Sequence, residues 1–145
     1  MATPYSEIYD LYFGMTTDYE FLNLSIQDQN TILEGWLLNA IGEFNNCKND
    51  LSDRDHEQKQ FNRTLTDNEK IILAKYMLTN WLSPKLYCVE NLKNYLSSKD
   101  FSLYSPSALL KEIRNTYKEA KKEADKLKLA YGYKNFNLED LKWLK

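Results

Sequence analysis

Residues 105–131 read SPSALLKEIRNTYKEAKKEADKLKLAY and predict one long helix. Ser105 is a suitable N-cap, and Pro106 suits the first helical position because its missing N–H leaves no helical hydrogen bond unmade there. Gly132 favours the left-handed conformation that commonly follows a last helical turn. We therefore expect a helix of about 40 Å that ends at Tyr131.

The apolar residues of this helix recur at alternating intervals of four and three residues. This spacing is typical of a helix that packs along its whole length. The residues of this seam are Leu110, Ile113, Tyr117, Ala120, Ala124, Leu127 and Tyr131.

The two flanks of the seam differ in charge. One flank is basic apart from Asp125, and the other is acidic apart from Lys126. A helix polarised across its width suits lateral packing of identical copies. We therefore predict that inter-subunit contacts involve the basic residues Lys111, Arg114, Lys118 and Lys121 and the acidic residues Glu112, Glu119 and Glu123.

The rest of the chain predicts further helices. Four Gly and three Pro in 145 residues are too few for a turn-rich β fold. Periodic apolar segments separated by polar breaks indicate helices near residues 4–13, 25–44, 70–82 and 86–96. We expect an all-α, single-domain helical bundle over residues 1–132, with one long C-terminal helix (about 105–131) and a short tail over residues 133–145.

Local signals set several helix boundaries. Gly14 should end the first helix, and Ser25 should cap the second. Thr66 and Glu69 have the spacing of a capping box. Pro84 should break or bend the helix that follows, because proline disfavours helical geometry for the residue before it.

Two other segments lack helical periodicity. Residues 16–24 form a linker whose apolar side chains Tyr19, Phe21, Leu22 and Leu24 should point inward. Residues 45–65 are polar and predict a structureless loop. Such a loop is uncommon inside a compact domain, so it is a candidate for contact with a large partner.

The sequence shows no catalytic or metal-binding pattern. Cys47 and Cys88 lack the spacing of a disulfide framework, so we expect two free thiols. His56 is the only histidine, and with the two cysteines it gives three zinc ligands where a structural site needs four. The acidic residues 50–57 lack the Gly and Glu of a calcium loop. We expect no catalytic residue, no metal and no cofactor.

Charge is unevenly distributed along the chain. Residues 1–70 hold 13 acidic and 5 basic residues (net −8), and residues 71–145 hold 8 acidic and 14 basic residues (net +6), giving −2 in all. The two halves form either solvated faces of one domain or a dipolar protomer that meets its neighbour head to tail. Because 16 of the 19 basic residues are Lys, sequence-specific DNA recognition is disfavoured, whereas sequence-blind contact stays open.

The last residues predict a docking tail. Leu138, Leu141 and Leu144 recur every third residue, with Trp143 beside them. A helix this short is not stable alone in water, so it must dock either on its own domain or on a partner. No run approaches the roughly 18 apolar residues of a membrane span, and the first residues lack the pattern of a signal peptide, so we expect synthesis in the cytoplasm and no membrane contact.

Parts of the chain resemble a known family. They are LAKYMLTNWLSPK at 73–85 with NLKN at 91–94, and FSLYSPSALLKEIR at 101–114, supported by YSEIYD at 5–10 and the helix around residues 32–44. Together they resemble the small helical neck proteins of tailed bacteriophages, which are called head–tail connector, adaptor or head-completion proteins.

This resemblance implies a non-enzymatic virion component made in the bacterial host cytoplasm. Copies are expected to form a ring, typically a dodecamer, at the virion neck beneath the portal protein. The ring would continue the DNA channel and offer a docking surface to other neck or tail proteins. The docking tail, with Leu138, Leu141, Trp143 and Leu144, would then join the portal. Two alternatives stay open: a helical adaptor or regulatory protein of a mobile element that binds a host protein, and a DNA-packaging accessory.

Overall fold

The computed structural model describes residues 2–16, 19–97 and 106–134. Its helices are α1 (Tyr5–Phe13), α2 (Tyr19–Leu22), α3 (Ile26–Glu43), α4 (Asp67–Ser97) and α5 (Pro106–Lys134). The described residues also include three two-residue strands: β1 (Thr3–Pro4), β2 (Arg54–Asp55) and β3 (Gln60–Phe61). Helices dominate, so the predicted all-α fold with a long C-terminal helix is confirmed.

Helix α4 is the central element and packs against α1, α3 and α5. It starts with the predicted capping box, which is confirmed. The Thr66 hydroxyl accepts a hydrogen bond from the Glu69 N–H (3.2 Å), and the Thr66 N–H donates to Glu69 Oε1 (2.8 Å). The first half of α4 then supplies much of the core through Ile72, Leu73, Ala74, Tyr76, Met77 and Leu82.

Helix α4 continues through Pro84 to Ser97. Of the two outcomes predicted at Pro84, a break or a bend, the break is therefore wrong. Proline removes one N–H from the helical ladder, whereas α4 packs against three other helices. Tertiary packing outweighs the single lost hydrogen bond.

Helix α5 runs antiparallel to α4, because Tyr131 near its end contacts Glu69 at the start of α4. The Lys75 ammonium pairs with Glu123 (2.8 Å), and the Tyr76 hydroxyl donates to Asp125 (2.6 Å). In the predicted seam, Ala124 and Tyr131 are buried. The half-buried seam residues are Ile113, Tyr117, Ala120 and Leu127, and the Leu110 side chain lies outside the described part.

Gly132 does not end α5, which extends to Lys134. The helix thus ends two residues beyond the predicted position, and the division into a domain of residues 1–132 and a tail of residues 133–145 stays a prediction. A Cβ at Gly132 would lie 3.0 Å from Nδ2 of Asn46. The absent side chain thus allows the 45–65 segment to approach α5 closely.

Helices α1 and α3 follow their predicted boundaries closely. Gly14 follows the last residue of α1, and its N–H donates to the Asp10 carbonyl (3.2 Å). The Ser25 side chain caps α3 by accepting from the Asp28 N–H (3.1 Å). Both helices direct apolar side chains into the core, namely Tyr5, Ile8, Tyr12, Leu33, Leu37, Ala40 and the C-capping Phe44.

Residues 45–65 are not structureless, so that prediction is wrong. Strands β2 and β3 pair antiparallel, and β1 pairs with the other edge of β3. The Thr3 hydroxyl donates to the Arg63 carbonyl and accepts from the Leu65 N–H, each at 3.0 Å. The segment is ordered because its apolar side chains Leu51, Phe61 and Leu65 are buried.

The linker between α1 and α3 is only partly anchored. Phe21 is buried as predicted, but Leu22 is 50% exposed and Leu24 is 40% exposed, so their inward placement is wrong. The Gln29 amide donates to the carbonyls of both leucines (3.2 and 2.9 Å). These backbone contacts fix the turn without burying either side chain. The Tyr19 side chain, residues 98–105 with the predicted Ser105 cap, and residues 135–145 lie outside the described residues.

Candidate functional site

A buried carboxylate lies where α4, α5 and the 45–65 segment meet. Glu69 is 1% exposed, and its Oε2 accepts from the Cys47 thiol and the Tyr131 hydroxyl, each at 2.9 Å. Its Oε1 accepts from the Asn49 amide and the Thr66 N–H, each at 2.8 Å. Tyr131 in turn accepts from the Lys48 N–H (2.8 Å). We call Cys47, Asn49, Thr66, Glu69 and Tyr131 the Glu69 cluster.

The electrostatics of the Glu69 cluster favour a charged carboxylate and a neutral thiol. Burial opposes ionisation of Glu69, but the hydrogen bonds from Cys47, Thr66, Tyr131 and Asn49 outweigh it and hold the pKa of this carboxyl below its usual value. Burial, reinforced by the hydrogen bond to Glu69, raises the pKa of the Cys47 thiol to about 12.

These shifts leave Cys47 protonated at neutral pH, and a thiol without its thiolate is a poor nucleophile. The cleft beside the cluster, of about 450 Å³, is lined by Lys48, Asn68, Lys134 and members of the cluster. Every oxygen of Glu69 is already engaged within the protein. The arrangement therefore joins three chain segments and offers no free reacting group.

His56 and the hairpin dock on α3 through another carboxylate. Glu34 accepts from His56 Nε2 and pairs with the Lys59 ammonium, each at 2.8 Å. The His56 side chain is 61% exposed. Cys47 is a free thiol, and the Cys88 side chain lies outside the described part. Among the residues that the structure describes, no group of three His, Cys, Asp or Glu side chains is arranged to hold a metal ion.

All seven predicted inter-subunit residues lie on the exposed side of α5. They are Lys111, Glu112, Arg114, Lys118, Glu119, Lys121 and Glu123. We call the first five, residues 111–119, the charged face of α5. Its basic and acidic members share the same turns, so the surface presents both signs to a neighbour.

The other two predicted residues contact their own chain electrostatically. Glu123 pairs with Lys75 of α4. Lys121 lies close enough to Glu43 of α3 to lower the pKa of that carboxyl, although burial raises that pKa overall. The flank charges of the second half of α5 thus help to hold α5 against α3 and α4.

An exposed apolar surface lies at the start of α3. Phe13 is 38% exposed, Leu22 50%, Leu24 40% and Ile26 76%. All four lie between the end of α1 and the first residue of α3, and exposed apolar side chains grouped in this way mark candidate protein–protein contact sites. We call these four residues, with the adjoining groove, the apolar patch.

The groove of the apolar patch has a volume of about 320 Å³. Aromatic rings line the groove. The rings of Phe21 and Trp36 stack with centroids 5.7 Å apart. The Lys85 ammonium lies 4.9 Å from the centre of the Trp81 ring. The lining residues are Phe21, Leu24, Ile32, Trp36, Trp81, Pro84 and Lys85. Buried aromatic anchors beside exposed apolar side chains are common at the centres of interfaces.

Sequence reasoning missed both the Glu69 cluster and the apolar patch. Glu69 was recognisable as a helix cap, but nothing in the sequence pairs it with Cys47 and Tyr131, which lie 22 and 62 positions away. The predicted docking residues Leu138, Leu141, Trp143 and Leu144 lie outside the described residues. None of the described helices is both long and apolar enough to cross a membrane. A scan against protein-family models, a search of curated proteins and a search of solved structures each found no match to this chain.

Proposed function

We propose that the protein is a structural component of a tailed-bacteriophage neck, where copies assemble into a ring between the portal and the tail. The observation that carries this proposal is the presence of two unlike exposed surfaces on one chain, the apolar patch and the charged face of α5. A ring requires unlike faces of identical subunits to meet. Repeating this heterologous contact closes a ring when the rotation between neighbouring subunits is a whole-number fraction of a full turn.

The resemblance of residues 73–85 and 101–114 to phage neck proteins supports a location of this ring between the portal and the tail. In that arrangement the ring continues the DNA channel of the portal, and the charged face contributes sequence-blind contacts with passing DNA or with a neighbour. Twelve copies are the expected number. No catalytic step is needed for this role.

One alternative has a structural observation in its favour. The apolar patch would equally suit a single host protein, bound by a monomeric adaptor of a mobile element. A stable complex of one copy with one partner would support this alternative. A DNA-packaging accessory is less favoured, because Glu112 and Glu119 share the turns that carry the basic residues and weaken attraction to phosphate.

The mass of the purified protein in solution tests the ring. We expect native mass spectrometry to find one dominant closed oligomer, and we expect imaging of intact particles to place it between portal and tail. Charge reversal by Lys111→Glu with Lys118→Glu should weaken the oligomer. Lys122→Glu, also exposed on α5 but outside the charged face, is the matched control and should leave it intact. A monomer in solution that is also absent from particles would refute the proposal.

A further inference from the structure

We propose that the hairpin of β2 and β3 is a flap that opens while the helices of the domain stay folded. The flap comprises residues 54–61, which include both strands and the turn between them. Its opening uncovers the rings of Tyr5 and Phe61 and releases the Glu34 carboxylate from its two cations. This motion belongs to the single chain and does not depend on the proposed ring.

The chain is anchored on both sides of the flap. Before the flap, the Asn49 amide donates to the buried Glu69 carboxylate (2.8 Å), and Leu51 is buried. After the flap, the Leu65 N–H donates to the Thr3 hydroxyl (3.0 Å). None of these contacts involves a residue of the flap, so all of them persist when it opens. The chain can therefore hinge between these anchors and the flap.

Few contacts hold the flap closed. Phe61 is its only buried residue, and the Phe61 ring meets the Tyr5 ring edge to face at 5.0 Å. The Tyr5 N–H donates to the Lys59 carbonyl (2.9 Å), and β3 pairs with β1 over two residues. Glu34 pairs with His56 and Lys59, but these two side chains are 61% and 49% exposed, so solvent screens both pairs.

A buried hydroxyl without a hydrogen bond opposes closure. Tyr5 is 0% exposed, and its hydroxyl is the only buried side-chain oxygen or nitrogen of the described residues that has no hydrogen-bond partner. Burial raises the pKa of this hydroxyl, and charged groups of the flap, namely Arg54, Lys59 and Asp55, also act on that pKa. The hydroxyl therefore faces the flap. Opening returns it to water and restores its hydrogen bonds.

Backbone strain opposes closure at the same place. Lys59 has a φ of 53° and is the only non-glycine residue with positive φ in the part of the chain that the structure describes. The left-handed region is unfavourable for a residue that carries a Cβ. Strained residues of this kind cluster at clamps and at segments that switch conformation. Because the Lys59 carbonyl is the acceptor of the Tyr5 N–H, both costs occur at one contact.

These two costs set the stability of the flap below that of the helices. Opening loses the burial of Phe61 and a short strand pairing, but it recovers the hydration of the Tyr5 hydroxyl and the strain at Lys59. A segment with few buried contacts opens at a smaller free energy than global unfolding. The flap thus exposes two aromatic rings and a carboxylate that the closed domain covers.

Native-state hydrogen exchange, measured by NMR on the full-length protein, tests the flap. The Tyr5 N–H reports opening because its acceptor is the Lys59 carbonyl, and the amides of the buried residues Leu73 and Met77 report α4. We expect the Tyr5 amide to exchange at least about tenfold faster than these α4 amides, after correction for intrinsic rates. Low concentrations of urea should accelerate the α4 amides and leave the Tyr5 amide unchanged, because local opening exposes little surface.

Two variants should close the flap. Tyr5→Phe keeps the ring and removes the hydroxyl, so protection of the amide of residue 5 should rise by about 5- to 30-fold. Lys59→Gly relieves the strain, and protection should rise by about fivefold. The second variant is compared in a Glu34→Ala background, where the ion pair of Lys59 is already absent.

A control variant separates local opening from global unfolding. Ala124→Phe overpacks the core at α5 and should reduce the protection of the α4 amides without changing that of the Tyr5 amide. Equal losses of protection at both places would overturn the inference, as would a Tyr5 amide that exchanges as slowly as α4 with the same urea dependence. A decrease in protection in Tyr5→Phe, or no increase in Lys59→Gly, would also overturn it. The mass of the oligomer tests the proposed ring separately.

Discussion

The two ends of the molecule treat polar and apolar groups in opposite ways. At one end, the Glu69 carboxylate is 1% exposed and accepts four hydrogen bonds from three chain segments. At the other end, Leu22 and Ile26 leave half or more of their apolar surface in contact with solvent. The first end buries a carboxylate, which water solvates well. The second end exposes apolar side chains, which water solvates poorly.

This difference separates folding from assembly. A buried charge is tolerated only when hydrogen bonds replace its hydration, so the Glu69 cluster specifies one arrangement of α4, α5 and the 45–65 segment. The exposed part of an apolar side chain adds nothing to the fold of the single chain, but it releases free energy when a partner covers it. We therefore expect substitutions at the two ends to affect different measurements.

The largest effect is expected from Glu69→Ala. This change leaves the buried Tyr131 hydroxyl and the half-buried donors of Cys47 and Asn49 without an acceptor, and it removes half of the capping box. The free energy of unfolding should fall by about 3–5 kcal/mol, measured by urea denaturation. Glu69→Gln, which keeps one acceptor oxygen, should lose about 1–3 kcal/mol. Losses below 1 kcal/mol for Glu69→Ala would show that the cluster does not hold this end together.

The next effect concerns the seam of α5. Ala124 is 0% exposed and packs within the core, so Ala124→Phe should overpack it and destabilise the fold by about 1–3 kcal/mol. Lys122→Ala, on the exposed side of the same helix, should change stability by less than about 0.5 kcal/mol. Thermal melts of the two variants compare them directly, and equal tolerance would refute the seam.

Much of the fold follows from local signals in the sequence. The Ser25 cap, the capping box at Thr66 and the stop at Gly14 are contacts between near neighbours, so a local pattern suffices to predict them. The errors have a different origin. Helix α5 extends two residues past Gly132, and α4 continues through Pro84 while packing against α1, α3 and α5, contacts that a local pattern does not contain.

The candidate site was less predictable than the fold. The exposed positions of Lys111 and Lys118 follow from helical periodicity alone. The exposure of Leu22 and Leu24 does not, because apolar residues in a linker look the same whether they face the core or a partner. Likewise, the partners of Glu69 come from two segments that only the tertiary structure brings together.

The pH dependence of stability tests the Glu69 cluster. The pKa of Glu69 lies below its usual value in the folded protein, so its contribution is present above about pH 4.5 and is lost as the pH falls through the lower folded value. The pKa of Cys47 is raised to about 12, so stability should also fall as the pH rises above about 9, where the unfolded thiol ionises first.

Urea midpoints across this range measure both limbs. Glu69→Gln should make the acid limb shallower without abolishing it, since hydrogen bonds from Ser52 also lower the pKa of Asp50. Cys47→Ala should make the alkaline limb shallower. An acid limb in Glu69→Gln as steep as in the natural protein would assign acid unfolding to other carboxyl groups.

The smallest effect on stability is expected at the apolar patch. Ile26 is the first residue of α3 and is 76% exposed, so Ile26→Asp removes little buried area. An acidic side chain in the first turn also interacts favourably with the helix dipole. The free energy of unfolding of the monomeric protein should therefore change by less than about 0.5 kcal/mol, measured by urea denaturation at a concentration below assembly. A loss of 2 kcal/mol or more would mean that Ile26 supports the fold of its own chain, and the contrast between the two ends would then fail.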